Sequence, residues 1–124
     1  MLSLHLSGKE YVMARKYSIG ANLVANTKTT IYTVPAGYLA SWSLCHISNH
    51  TGTNKTISLW WYDSSQNVEI TVIDAYQLSP TQFIQFGGSG LYVALEAGDE
   101  IRMKSETGSN MSTINTFELE RNNG

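Results

Sequence analysis

A single cysteine, Cys45, stands among the 124 residues, which excludes an internal disulfide. Beside Leu44 and two positions before Ile47, it reads as a small buried hydrophobe. Neither sign of charge dominates, since eight Lys and Arg against ten Asp and Glu leave a formal net charge of −2. A protein that grips a phosphate backbone carries a basic excess, so no nucleic-acid partner is expected. No apolar run approaches the roughly 20 residues that a membrane-spanning helix requires, so no membrane partner is expected either. Residues 1–16 mix His5, Lys9, Glu10, Arg15 and Lys16 with short apolar pieces, and neither a signal peptide nor an anchor is expected there. Helical periodicity is nearly absent. A chain of this length removes about two thirds of its unfolded surface from water, enough for one core and one domain.

What is present is β-strand patterning broken by turns. Residues 29–34 are rich in β-branched side chains and stop at Pro35-Ala36-Gly37, a strand followed by a tight turn. Over residues 38–48, Trp42 and Leu44 share one parity while Cys45 and Ile47 share the other, which predicts a bulge near Leu44. Residues 56–62 alternate, with Ile57, Leu59 and Trp61 toward the core and Thr56, Ser58, Trp60 and Tyr62 away from it. A turn at 64–67 leads into Val68, Ile70 and Val72, which predicts a hairpin. Phe83, Ile84 and Phe86 form a short strand ended by Gly87-Gly88-Ser89-Gly90, and Leu91, Val93 and Leu95 form the next. Ala97-Gly98-Asp99 then turns into a strand over 101–104. The last strand, over 114–120, points Phe117 and Leu119 inward and Glu118 and Glu120 outward. Eight or nine strands predict an all-β, single-domain antiparallel β-sandwich over residues 27–124, jelly-roll-like.

The residues that carry chemistry do not gather into a site. His5, His46 and His50 lack Cys, Asp or Glu at metal-ligand spacing, although His46 and His50 could approach each other across a strand end. Asp63, Glu69, Asp74, Asp99 and Glu100 offer carboxylates for a glycosidase pair, but Asp63 and Asp99 sit where turns favour aspartate. No serine occupies a nucleophile elbow, and residues 87–90 lack the lysine and helix of a phosphate loop. The expectation is a protein that is not an enzyme, with no catalytic residue, no metal and no cofactor. Asn49, Asn54 and Asn110 open Asn-x-Ser/Thr triplets, read here as polar loop composition.

Trp60-Trp61-Tyr62 cannot all face one core, because neighbouring strand residues point to opposite faces. With Trp61 inside, Trp60 and Tyr62 lie outside, for burial by another subunit, for cover by the chain's own loops or arm, or for stacking on a glycan. Residues 1–26 read as an extended N-terminal arm, with apolar pieces at Leu2, Leu4 and Leu6, at Tyr11 and Val12, and at Ile19, Leu23 and Val24. Such an arm can add to a neighbour's sheet edge, so Leu4, Tyr11, Tyr17 and Ile19 join Trp60 and Tyr62 as interface residues. Met13-Ala14-Arg15-Lys16 also looks like an ordinary start of translation, with Gly8-Lys9-Glu10 encodable by a purine-rich ribosome-binding tract upstream. This raises Met13 as the native first residue.

Four segments recur as an ordered set: Thr30-Ile31-Tyr32-Thr33-Val34-Pro35-Ala36-Gly37, Ile47-Ser48-Asn49, residues 59–63 and Leu95-Glu96-Ala97-Gly98-Asp99-Glu100-Ile101. In order and spacing over about residues 27–120, the set resembles small β-sandwich virion proteins of tailed bacteriophages. Those serve as capsid decoration (cement) proteins or as tail-associated modules. The resemblance implies a non-enzymatic virion structural protein whose partner is the major capsid protein and whose oligomer is a homotrimer or another closed ring. Decoration of the outer capsid at capsomer junctions is the first expectation. A tail-associated adaptor, or a module that reads a host glycan or receptor, is the alternative.

Overall fold

The computed structural model describes residues 3–6, 9–12, 15–90, 92–106 and 111–122. Runs of β-branched and aromatic residues, punctuated by Pro, Gly and Asn turns, form strands throughout, and no helix occurs among the described residues. The strands are β1 (Ser3–Leu6), β2 (Lys9–Val12), β3 (Arg15–Asn22), β4 (Thr29–Thr33), β5 (Tyr38–Asn49), β6 (Lys55–Asp63), β7 (Val68–Leu78), β8 (Phe83–Gly87), β9 (Val93–Leu95), β10 (Glu100–Ser105) and β11 (Met111–Arg121).

β1 and β2 pair only with each other. One sheet has the order β3-β11-β5-β8, with β9 pairing β5 beside β8, and the other has the order β4-β10-β6-β7. Consecutive strands from β3 to β11 cross from sheet to sheet except at the β6–β7 hairpin and the β8–β9 step. This is jelly-roll connectivity. The expected sandwich is present, and so is the expected hairpin, closed by a turn at 64–67 in which Asn67 takes a φ of 54°.

Residues 15–22, expected in the arm, instead form β3, which pairs with β11 along its whole length, from Arg15 opposite Leu119 to Asn22 opposite Ser112. The physical reason is alternation: Tyr17 and Ile19 occupy every second position and pack against the core, while Arg15, Lys16 and Ser18 stay exposed. Among the described strands, β1 and β2 are the two outside the sandwich sheets.

The core is centred on Phe117, fully buried and stacked 4.0 Å from Tyr32 of the facing sheet. Tyr17 meets both rings, and its hydroxyl is hydrogen-bonded to that of Tyr32. Burial, and then the bond to Tyr17, raise the Tyr32 phenol well above its ordinary pKa, so the Tyr32 hydroxyl stays neutral.

The bulge predicted near Leu44 lies at Ser43, because Thr116 pairs with Leu44 while Phe117 pairs with Trp42. The extra residue turns Trp42 and Cys45 onto the same buried face. A Cβ at Gly87 would lie 2.2 Å from the Ser43 carbonyl oxygen, and Gly87 has a φ of +91°, so glycine is required opposite the bulge. Asn49, read from the sequence as loop composition, is buried at the end of β5. Its Nδ2 donates to the Leu78 and Thr53 carbonyls, and its Oδ1 accepts from the Thr51 amide. A folded chain therefore does not offer Asn49 to a glycan. Leu91 and Asn110 lie outside the described residues.

Candidate functional site

Two surfaces stand out, and the first is the outer face of the β4-β10-β6-β7 sheet. Trp60 and Tyr62 point away from the core as their alternation predicts, and Trp61 packs against it. Neither outer ring lies open. The Lys28 ammonium sits 4.1 Å from the Trp60 ring centroid, and the Arg102 guanidinium sits 4.3 Å from that of Tyr62. Glu69 on β7 ties the two cations together, accepting from Lys28 Nζ at 2.6 Å and from Arg102 Nη1 at 2.8 Å. Glu100 accepts from Arg102 Nε and Thr30 Oγ1, each at 2.9 Å, and the Tyr62 hydroxyl donates to Asn67 Oδ1 at 2.6 Å.

Of the three fates open to these rings in the sequence, intramolecular cover is partly supplied by the chain itself, through Lys28 of the loop before β4 and Arg102 of β10. A glycan stacking on those faces would have to displace Lys28 and Arg102. Asp63, a polar partner a glycan site would use, instead caps its own turn by accepting from the Ser65 amide and hydroxyl.

This network makes stability depend on pH. The Lys28 hydrogen bond, and then the Arg102 bond, hold the Glu69 carboxyl below its ordinary value of 4.5, and Arg102 does the same to Glu100. The native carboxylates remain ionised where those of the unfolded chain begin to protonate. Their stabilisation is therefore present above pH 4.5 and is lost as pH falls through the lowered native values. Both groups are partly exposed, so each pair contributes at most about 1 kcal/mol. Glu69→Gln is expected to be less stable than the native chain at pH 7, with the gap closing below pH 4.5 in denaturant titrations. A gap unchanged across that range would refute the assignment.

The second surface was not anticipated. Where β7 faces β8 and β9, the two sheets part to leave an apolar cleft of about 210 Å3, lined by Trp42, Leu44, Val72, Phe86, Tyr92 and Val93. Val72 is 45% exposed, Val93 38% and Tyr92 61%, and Ile70, 42% exposed, carries the apolar surface along β7. The Val68, Ile70 and Val72 alternation would be core on a central strand. Here it falls on an edge strand, opposite a sheet edge made of the two short strands β8 and β9. A contiguous apolar patch at such an edge marks an interaction surface. The signal in the sequence was an apolar strand paired with a glycine-broken one. Cys45 also borders the cleft, and burial pushes its thiol up to about 12, leaving it protonated and unreactive.

The other sequence candidates are dispersed. Leu4 and Tyr11 stand opposite each other in the β1–β2 register. Tyr17 and Ile19 belong to β3 and pack on the core. His46 bonds Gln85 and stacks on Phe83, whereas His50 bonds Ser48 and Ser112, so the two histidines serve different partners. Among the described residues no group of three or more His, Cys, Asp or Glu is placed to hold a metal ion. Asp99 is buried in the 96–99 turn, as the sequence preference for aspartate in turns suggests.

No family model and no curated protein matches the chain. Among solved structures it is similar to a chain from Bacillus endospore appendages, described as a novel family of disulfide-linked pili, at 14% identity, with 98% of each chain covered and a TM-score of 0.54. It is also similar to chains of infectious bursal disease virus. A structure of the Gx strain gives 8% identity and a TM-score of 0.48, and a crystal structure of the viral particle gives 7% and 0.49. The chain spans 42% and 40% of the length of those two viral chains. At 14% identity the pilus likeness shows a shared fold, and the single buried cysteine of the present chain has no partner for a disulfide within it. The chain thus shares its overall fold with that pilus chain.

Proposed function

We propose that the protein is a non-enzymatic structural subunit of a particle, and specifically a decoration protein that binds the outer capsid of a tailed bacteriophage. The observation that carries this reading is the partly exposed apolar cleft between β7 and β8–β9, on a sandwich whose outward Trp60 and Tyr62 are capped by Lys28 and Arg102. The resemblance of the ordered motifs to small virion proteins of tailed bacteriophages supports it. So does a fold in common with a protein that builds pili.

Its action is mechanical. Bridging neighbouring capsid subunits buries apolar surface at several contacts, so avidity resists displacement without any one strong contact. The major capsid protein is the partner, and a ring of copies is the form that presents several contacts at once.

Counting copies of this chain against the major capsid protein in purified virions by quantitative mass spectrometry tests the reading. About one copy per few capsid subunits is expected. A few dozen copies or fewer would move it to the tail, and absence from virions would end the proposal. The arm contributes separately. Deleting residues 1–14, which leaves β3 intact, is expected to weaken capsid binding at least tenfold with the sandwich still folded. Undiminished binding by the shortened chain would remove the arm from the contact.

A further inference from the structure

The outer face of the β3-β11-β5-β8 sheet holds a polar trough that the capsid reading does not use. Lys16, Glu118, Ser41 and Ala94 stand opposite one another on β3, β11, β5 and β9, a row of three strand spacings, about 14 Å. Ala40, Trp42 and Phe117 fill the core, so Ser41 and Glu118, one position away, point outward. Along this row lies a hollow of about 430 Å3, bordered by Lys16, Ser41, Ser43, Tyr92, Glu118 and Glu120. A second, of about 230 Å3, shares Ser41, Tyr92, Glu118 and Glu120 with it. The small side chains of β5 and β9 make a low floor. Tyr92, 61% exposed, rises on the β9 side of that floor, and the two glutamates rise on the β11 side.

We propose that this trough binds a neutral saccharide, with a sugar ring stacked on Tyr92 and its hydroxyls donating to Glu118 and Glu120. A concave surface that joins one aromatic wall to a few convergent polar groups is the form of a small-ligand site. The carboxylates are available: among the described residues neither Glu118 nor Glu120 is in an ion pair, although Lys16 stands opposite Glu118, whereas Glu69 and Glu100 of the other sheet are both paired. A hydrogen bond from a hydroxyl to a carboxylate is about twice as strong as one between neutral groups. Lys16 Nζ and Ser41 Oγ supply donors on the same floor. A pyranose has an apolar C–H face for the electron-rich face of a tyrosine and a rim of hydroxyls that both donate and accept, so it satisfies every group present. Charge excludes the other classes. An anionic ligand would meet two carboxylates, and a basic side chain, which only donates, would meet Lys16. The row of about 14 Å leaves room for a short oligosaccharide.

Titrating the full chain with maltohexaose, cellohexaose and chitohexaose, and following the backbone amides by nitrogen-15 NMR, provides the test. Sialyllactose and a tetra-arginine peptide serve as the anionic and basic probes. At least one neutral hexasaccharide is expected to shift the amides of Ser41, Ser43, Glu118 and Glu120 saturably. Tyr92→Ala and Glu118→Gln are each expected to weaken that binding at least tenfold, while Tyr92→Phe, which keeps the ring, retains it. Both side chains point away from the core, and unchanged amide positions elsewhere in each substituted chain verify that the sandwich is folded. No saturable shift with any of the three hexasaccharides would overturn the proposal. So would shifts centred on Trp60 and Tyr62, undiminished binding by Tyr92→Ala and Glu118→Gln, or equal binding of a charged probe in the trough. The inference goes beyond the capsid reading and is independent of it. Copy number on virions and saccharide binding are separate measurements, so either reading can fail and leave the other standing.

Discussion

Phe117→Ala is expected to lower the free energy of unfolding by about 3–5 kcal/mol. Phe117 has no exposed surface, stacks at 4.0 Å on Tyr32 and touches Tyr17, so it joins the two sheets at their centre. Truncation removes that contact and leaves a cavity that strands on both sides cannot close, because their registers are fixed by ladders to β3, β5 and β10. With a total stability of about 5–15 kcal/mol for domains of this size, much of the margin would be lost. Denaturant unfolding followed by tryptophan fluorescence measures it. A loss under about 1 kcal/mol would mean that the two sheets are not joined by this ring.

The second large effect belongs to Asp99→Ala. The buried Asp99 carboxyl accepts from the Ser64 amide at 2.9 Å and hydroxyl at 2.8 Å through Oδ1, and from the Glu96 amide at 3.0 Å and the Trp61 indole at 3.3 Å through Oδ2. One side chain thereby pins the turn between β6 and β7 to the turn between β9 and β10 and fixes the inward Trp61. Alanine removes the acceptor of three N–H donors in a part-buried site, each at most about 1–3 kcal/mol, and the losses overlap because the loops relax together. A fall of about 3–5 kcal/mol is expected. Faster hydrogen exchange at the Ser64 and Glu96 amides should accompany it. Unaltered exchange at both amides would show that the carboxyl does not hold the turns.

These two residues also mark how far sequence reasoning reaches. Phe117 was legible as an inward residue because alternation with Glu118 and Glu120 fixes its face, and a period of two survives whatever the strand packs against. The strand itself was expected to begin at Ile114, whereas β11 begins at Met111 and buries Thr113 and Asn115. Polar residues look like a solvent face until their partners are known. Asn115 accepts the Trp42 indole N–H at 3.1 Å, and Trp42 lies 73 positions away in the chain. Asp99 was legible as a turn residue, because turn preference is local, but three of the four donors it serves come from Trp61 and Ser64, at least 35 positions away, which only the fold brings to it.

The interface candidates divide the same way. Local alternation correctly sent Trp60 and Tyr62 to the outer face, yet Lys28 and Arg102, which cap them, belong to segments that pairing alone places there. Tyr17 and Ile19 were assigned to an arm because nothing local distinguishes a free extended strand from one paired with a distant β11. The apolar cleft was missed for the corresponding reason. Val72 and Val93 look like ordinary core residues in the sequence, and only the strand order places both at a sheet edge, partly exposed.

The sequence by itself determined the β class, the alternation within each strand, the bulge and the turns, because each is set by residues within a few positions of one another. Tertiary structure alone decided which strands form the edges, which buried polar groups find partners and which apolar face stays uncovered. Those depend on pairings between distant segments, where the free energy of burial is summed over the whole fold rather than written in any one stretch of chain.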